Sequence, residues 1–251
     1  MRARVLVAAV GVPAYALFMV LTAPASFIAS RASQAAQGRV HFSDTEGTLW
    51  SGSMGATIDA PAGTLSLERI AWRLRPGKLA EGRIAFDVDV DSHDASGAVQ
   101  LLRGWSDWEA RGATARLAAP VLGVLFPMAA AWRPEGSVAI TADGVRWNER
   151  EMTGPIALEW REAAVSLSEV KPLGHYRLAA TGAGEVVTLA LSTLSGPLTM
   201  SGKGEARIAG GATFSGEAHA EGPAAAQLEP LLNLMGPRRP DGARSIEVRI
   251  R

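Results

Sequence analysis

Cysteine is absent from the 251-residue chain. That excludes a disulfide scaffold, a thiol nucleophile, zinc–thiolate sites and iron–sulfur clusters. An excess of either charge is missing too. Twenty-five Lys and Arg balance 25 Asp and Glu. A neutral chain has no global field to hold nucleic acid or to steer polyanions. Tyrosine is scarce, with two residues against seven tryptophans. Acidic residues are missing altogether before Asp44. Apolar residues are not scarce: they make up 47% of the chain, which excludes disorder as the main state. Twenty-seven glycines and 14 prolines without a collagen period imply many turns.

The distribution of charge is the most informative feature. Arg2 and Arg4 precede a stretch from Val5 to Ala29, 25 residues without a charged side chain. As a helix it would be about 37 Å long, enough to cross a hydrocarbon core of about 30 Å. The sequence therefore predicts a membrane anchor over 1–30, with Val5, Leu6, Leu17, Phe18, Leu21, Phe27 and Ile28 among its apolar residues. Inner-membrane lipids would be its first partner. Pro13 is tolerated in such a helix. Both arginines lie before the run, which places the N-terminus in the cytoplasm and the remainder across the membrane. The competing reading is a cleaved signal peptide, for which Ala23-Pro24-Ala25 offers a cleavage pattern.

After Gln37 the period changes to two. Ile84, Phe86, Val88 and Val90 alternate with Asp87, Asp89 and Asp91, a strand with one apolar and one acidic face. Ile70, Trp72 and Leu74 alternate with Arg69, Arg73 and Arg75. The same pattern recurs at 156–160, 176–180, 187–191, 198–200 and 246–250. Turn signals stand between the runs, among them Pro76-Gly77, Asp143-Gly144 and Gly196-Pro197. Together they predict an all-β domain over 46–251, as a curved antiparallel sheet or a sandwich, reached through a linker over 31–45.

Two stretches break the alternation. Pro120 to Pro127 is apolar, and Leu228, Leu231, Leu232 and Met235 mark one helix face that Gly236-Pro237 would end. Each stretch predicts a short helix followed by one more strand. The spacing suggests a duplication, with halves near 46–142 and 143–251.

Candidate chemistry is thin. Asp87, Asp89, Asp91 and Asp94 with His93 have the spacing of a calcium loop, but Ser92 and Ala98 stand where Gly and a bidentate Glu are needed. An acidic strand face explains them better. His41, His93, His175 and His219 are never three or four residues apart, so no helical metal pair exists. Ser53 lacks the glycine two residues earlier that a nucleophile elbow needs, and Gly202-Lys203-Gly204 is not a phosphate loop. Arg238, Arg239, Arg244, Arg249 and Arg251 make a basic tail, read first as a solvated face. No catalytic residue, metal or cofactor is expected, and no enzyme. The tryptophans read as core and turn anchors.

Several short motifs, taken in order, resemble one family. Gly47, Trp50 and Gly52 lie in Glu46-Gly47-Thr48-Leu49-Trp50-Ser51-Gly52, and Trp72 and Pro76 follow in Trp72-Arg73-Leu74-Arg75-Pro76. Gly174 and Tyr176 come next, then Gly196, Pro197 and Gly202 in Gly196-Pro197-Leu198-Thr199-Met200-Ser201-Gly202. This series resembles type II secretion system protein N. The resemblance implies a single-pass inner-membrane protein with a periplasmic β domain. It implies an accessory, non-enzymatic role in moving folded proteins from the periplasm across the outer membrane, with other secretion subunits as partners. It carries no catalytic residues. A second reading, an AsmA-like lipid-binding or lipid-transfer protein, requires that one apolar sheet face stay uncovered, along Phe86, Leu158 and Leu189.

Overall fold

The computed structural model describes residues 18, 19, 22–36, 38–61, 63–220 and 222–250. The alternation of period two is realised as 14 strands in one antiparallel sheet. In the first half, β1 is Val40–Gly47, β2 Ser51–Ala60, β3 Gly63–Leu74, β4 Ile84–Asp91, β5 Ala95–Arg103, β6 Trp108–Ala118 and β7 Pro134–Ala142. In the second, β8 is Val145–Trp147, β9 Met152–Val165, β10 Gly174–Gly184, β11 Val186–Ser195, β12 Leu198–Arg207, β13 Ala212–Ala220 and β14 Arg244–Ile250. Consecutive strands pair in a meander, except that β7 and β8 lie end to end, both between β6 and β9. β1 and β14 are the two edges. The open-sheet expectation is met; the sandwich is not, because the described strands form a single sheet.

Among the described residues, the short helices α1 (Ser26–Ala35), α2 (Val121–Leu125), α3 (Pro127–Ala130) and α4 (Ala225–Met235) lie against it. Both apolar stretches are helical, the first as α2 and α3 with Phe126 extended between them and the second as α4. α4 contains Pro230 in its interior, which costs a helix about 3 kcal/mol. It also buries Leu228, Leu231 and Leu232, each worth about 1.5–3 kcal/mol. Packing therefore outweighs the proline, and α4 exists because of its contacts with the sheet.

Two helical connections, β6–β7 and β13–β14, leave the same end of the sheet, here the helical end. The opposite end carries the β1–β2, β3–β4 and β5–β6 connections and is here the turn end. Two clusters form the core. One joins α4 to Tyr176, Leu198 and Ala218 near the helical end. The other joins Ala25 and Ala29 to Met54 and Trp72.

That second cluster shortens the predicted anchor at its C-terminal end. The apolar run is not one helix through Ala29. Leu49 N–H donates to Ala23 O at 2.8 Å, Pro24 bridges to Thr48, and α1 starts afresh at Ser26. The physical reason is Pro24, which removes an N–H and drives Ala23 out of the helical region. Phe27 and Ile28 thus belong to α1. Phe18 is helical and exposed; Val5, Leu6, Leu17 and Leu21 lie outside the described residues. Among the described residues no helix is long and apolar enough to cross a membrane. The stretch 31–45, expected as a linker, holds the end of α1 and most of β1.

Candidate functional site

Residues directly opposite on antiparallel strands share a face, so the register assigns every side chain to one of two faces. One row runs Met54, Ile70, Val90, Gly97, Ala115 and Ile140 across β2 to β7. It continues as Leu158, Leu178, Leu191, Gly202, Gly216 and Ile246 across β9 to β14. No charged residue interrupts it. Phe86 and Leu189 share this face through Leu74 and Ala180. Most of its residues are half-buried rather than buried. The face is apolar, continuous and only partly covered.

The helices cover it unevenly. α1 lies over the first strands through Ala25 and Ala29, and α4 packs on the last ones. Two apolar cavities remain. One, of about 310 Å³, lies between α2, α3 and α4 over Trp160, Tyr176 and Met200. The other, of about 400 Å³, is lined by Leu65, Val88, Val99 and Ile140 beside Val121 and Leu125 of α2.

The motif residues are brought together in two backbone locks beside this face. At the turn end, the Trp72 indole N–H donates to the carbonyls of Thr48 and Leu49 at 3.3 and 3.1 Å. Gly52 sits under the ring, where a Cβ would lie 2.7 Å from Trp72 Cζ2. Trp50 O accepts from Leu74 N, and Gly47 opens the same turn at φ 86°. Pro76 starts the 3-10 turn Pro76–Glu81. At the helical end, the Tyr176 hydroxyl lies 2.8 Å from Leu198 O and 3.1 Å from Leu173 O, and burial pushes its pKa up. Gly174 and Gly196 stack so closely that a Cβ on Gly196 would collide with Gly174 Cα, and Pro197 follows in the same turn. Gly202 makes room for the Phe214 ring, which lies across it. These residues shape and brace the apolar face; none forms a catalytic constellation.

The other face is charged. Arg73 opposes Asp87 and Arg69 opposes Asp91, and Arg75 also pairs with Asp87. The acidic run of β4 is thus matched by the basic run of β3. Asp94 and His93 lie in the next turn, where Glu68 accepts from the His93 backbone N–H. Among the described residues no group of three or more His, Asp or Glu is placed to hold a metal. The basic tail is largely paired: Arg239 with Glu217, and Arg238 and Arg244 with Glu229.

Two features escaped the sequence reading. Glu109 is 2% exposed and holds Arg111 at 2.5 Å, Arg83, and Arg146 at 3.3 Å. The hydrogen bond from Arg111, then that from Arg83, lowers its pKa to about 2. Arg111 is two residues away on the same strand, but Arg83 and Arg146 come from distant segments that no spacing could connect to Glu109. The tryptophans also divide: Trp72 is core, whereas Trp105 is 95% exposed.

The comparisons with known proteins bear on this architecture. A family model described as Type II secretion system (T2SS), protein N, matches residues 20–247. No curated protein and no solved structure gave a match. The match covers the whole sheet up to Glu247 and contains both locks, so the chain belongs to the type II secretion system protein N family, a family of secretion components.

Proposed function

We propose that the protein is a non-enzymatic accessory component of the type II secretion system. It is held in the inner membrane by the apolar run that begins at Val5, with the sheet in the periplasm. There it assists the export of folded proteins across the outer membrane. The observation that carries this reading is the family match over 20–247. Its working surface is the apolar face, because that face is continuous and half-open while the charged face is internally paired. Other secretion subunits are its partners, and an added strand along the outer edge of β14 beyond Ser245, where Pro237 and Arg238 no longer pair with it, is one mode by which such a partner binds.

Retention of the N-terminal run is supported by the fold. The cleavage pattern Ala23-Pro24-Ala25 is bound into the domain: Ala25 is 1% exposed and donates to Gly47 O at 3.2 Å. Mass spectrometry of the membrane-extracted protein should find no chain starting at Ser26. A start at Ser26 would replace the anchored protein by a released one.

Deletion of the gene tests the role. Secreted enzymes should accumulate in the periplasm, with outer-membrane lipids unchanged, and the wild-type gene should restore secretion. A specific observation favours a second reading, lipid carriage: the two apolar cavities of about 310 and 400 Å³ under a half-open face. Normal secretion with altered outer-membrane lipids would replace the first reading with this one.

A further inference from the structure

The two ends of the sheet differ in what they expose, and the turn end has the composition of a membrane interface. Trp105, in the β5–β6 turn, is 95% exposed, and Leu79, in the β3–β4 turn, is 50% exposed. Ile84 and Trp108, at the adjoining strand starts, are 43% and 38% exposed. Trp105 and Leu79, at the tips of neighbouring hairpins, leave half or more of their surface in solvent. Trp108 stacks on Trp147 at 6.4 Å with the rings 15° apart, and the Arg103 guanidinium lies 5.0 Å from the Trp108 ring centre. Arg103 has no carboxylate partner among the described residues. Tryptophan belongs at headgroup depth, its ring apolar and its N–H polar. A cation beside it is drawn to anionic lipid phosphate.

The path of the chain reaches the same end. Ala23 is hydrogen-bonded to Leu49 in the β1–β2 turn, and Met19, four residues earlier, is exposed. Four residues span at most about 14 Å. Three to four strand spacings separate β2 from the β5–β6 turn, about 14–19 Å. Ala23 therefore lies about 14–19 Å from the Trp105 rim along this end, and Met19 at most about 33 Å from it.

We propose that the turn end rests on the inner-membrane surface, with Trp105 and Leu79 inserted among the lipid headgroups and Arg103 facing lipid phosphate. This rests on the reading of the N-terminal run as an inner-membrane anchor. The occupant of the rim is then the bilayer that holds the anchor, and the apolar face begins at that bilayer and leads away from it toward the helical end.

The absence of cysteine makes the test clean. Trp105→Cys and Leu79→Cys each offer one site for a polarity-sensitive fluorophore, and both positions are exposed, so neither change threatens the core. Leu194→Cys and Leu234→Cys are controls at the helical end, where the parent residues are 53% and 67% exposed. The full-length chain is reconstituted into vesicles of phosphatidylethanolamine and phosphatidylglycerol, with and without nitroxide-labelled phosphatidylcholine. Labels at 105 and 79 should shift to the blue and lose most of their emission to the nitroxide, while those at 194 and 234 should not. Arg103→Gln should reduce the quenching at 105 in vesicles containing phosphatidylglycerol. Equal quenching at 105 and 194 would overturn the proposal while leaving the anchor in place. Release of the chain by alkaline carbonate would remove the anchor reading and the proposal with it.

Discussion

Trp72→Ala is expected to cost the domain about 3–5 kcal/mol, the range for truncating a buried tryptophan. The ring is 8% exposed and joins α1 to the sheet through Ala25, Ala29 and Met54, with Phe42, Ile70, Phe86 and Val88 around it. Its N–H also closes the β1–β2 turn on the carbonyls of Thr48 and Leu49. Removing the ring leaves a cavity above Gly52 and releases that turn. Native domains have about 5–15 kcal/mol in total, so a loss of this size threatens folding in the cell. Trp72→Phe keeps most of the packing and loses the N–H bond, which is worth about 1 kcal/mol. Urea unfolding of the two variants checks the order. A cost below about 1 kcal/mol for Trp72→Ala, against the large-to-small range, would mean that α1 is not held by the sheet.

Glu109→Gln is expected to cost about 2–3 kcal/mol at pH 7, and much less in acid. The Glu109 carboxyl has its pKa lowered from 4.5 to about 2, first by the hydrogen bond from Arg111 and then by that from Arg83. A depressed carboxylate pKa stabilises the fold above the unfolded value and loses that contribution as pH falls through the folded value. The window is therefore from about 4.5 down to about 2. A shift of this size corresponds to about 3 kcal/mol. The substitution removes it and leaves Arg111 and Arg146 facing a neutral amide; Arg83 keeps Asp107 at 3.0 Å. The gap between the unfolding curves of the two proteins should be largest at pH 7, narrow by more than half at pH 3 and close only below about pH 2. A gap that stays constant with pH would assign Glu109 a packing role instead.

Much of the fold was legible in the sequence because two-residue alternation is a local signal. β3, β4, β9 and β10 lie where Ile70, Val88, Leu158 and Leu178 alternate with polar neighbours. α4 was legible from the spacing of Leu228, Leu231 and Leu232, and its end from Gly236. The boundary of the N-terminal run was not. Hydropathy continues through Phe27 and Ile28, and only the pairing of Ala23 and Pro24 with Leu49 and Thr48 shows that the domain begins earlier. The choice between sheet and sandwich depended on the order of strands, which alternation does not encode. The apolar face was half legible: period two gave each strand an apolar side, but the unbroken row from Met54 to Ile246 required the register. The Glu109 cluster was invisible because Arg146 and Arg83 reach it from β8 and the β3–β4 connection, and only Arg111 is its neighbour on β6.

The central claim is that the apolar face does the work in secretion. Its most direct test compares Leu189→Asp with Thr188→Asp in cells lacking the native gene. The two positions are adjacent on β11, and Leu189 points to the apolar face while Thr188 opposes Glu205 on the charged face. Both proteins are first matched for abundance and melting temperature. The account predicts that Thr188→Asp restores secreted enzyme to the medium and that Leu189→Asp leaves it in the periplasm. Full restoration by Leu189→Asp would contradict the claim.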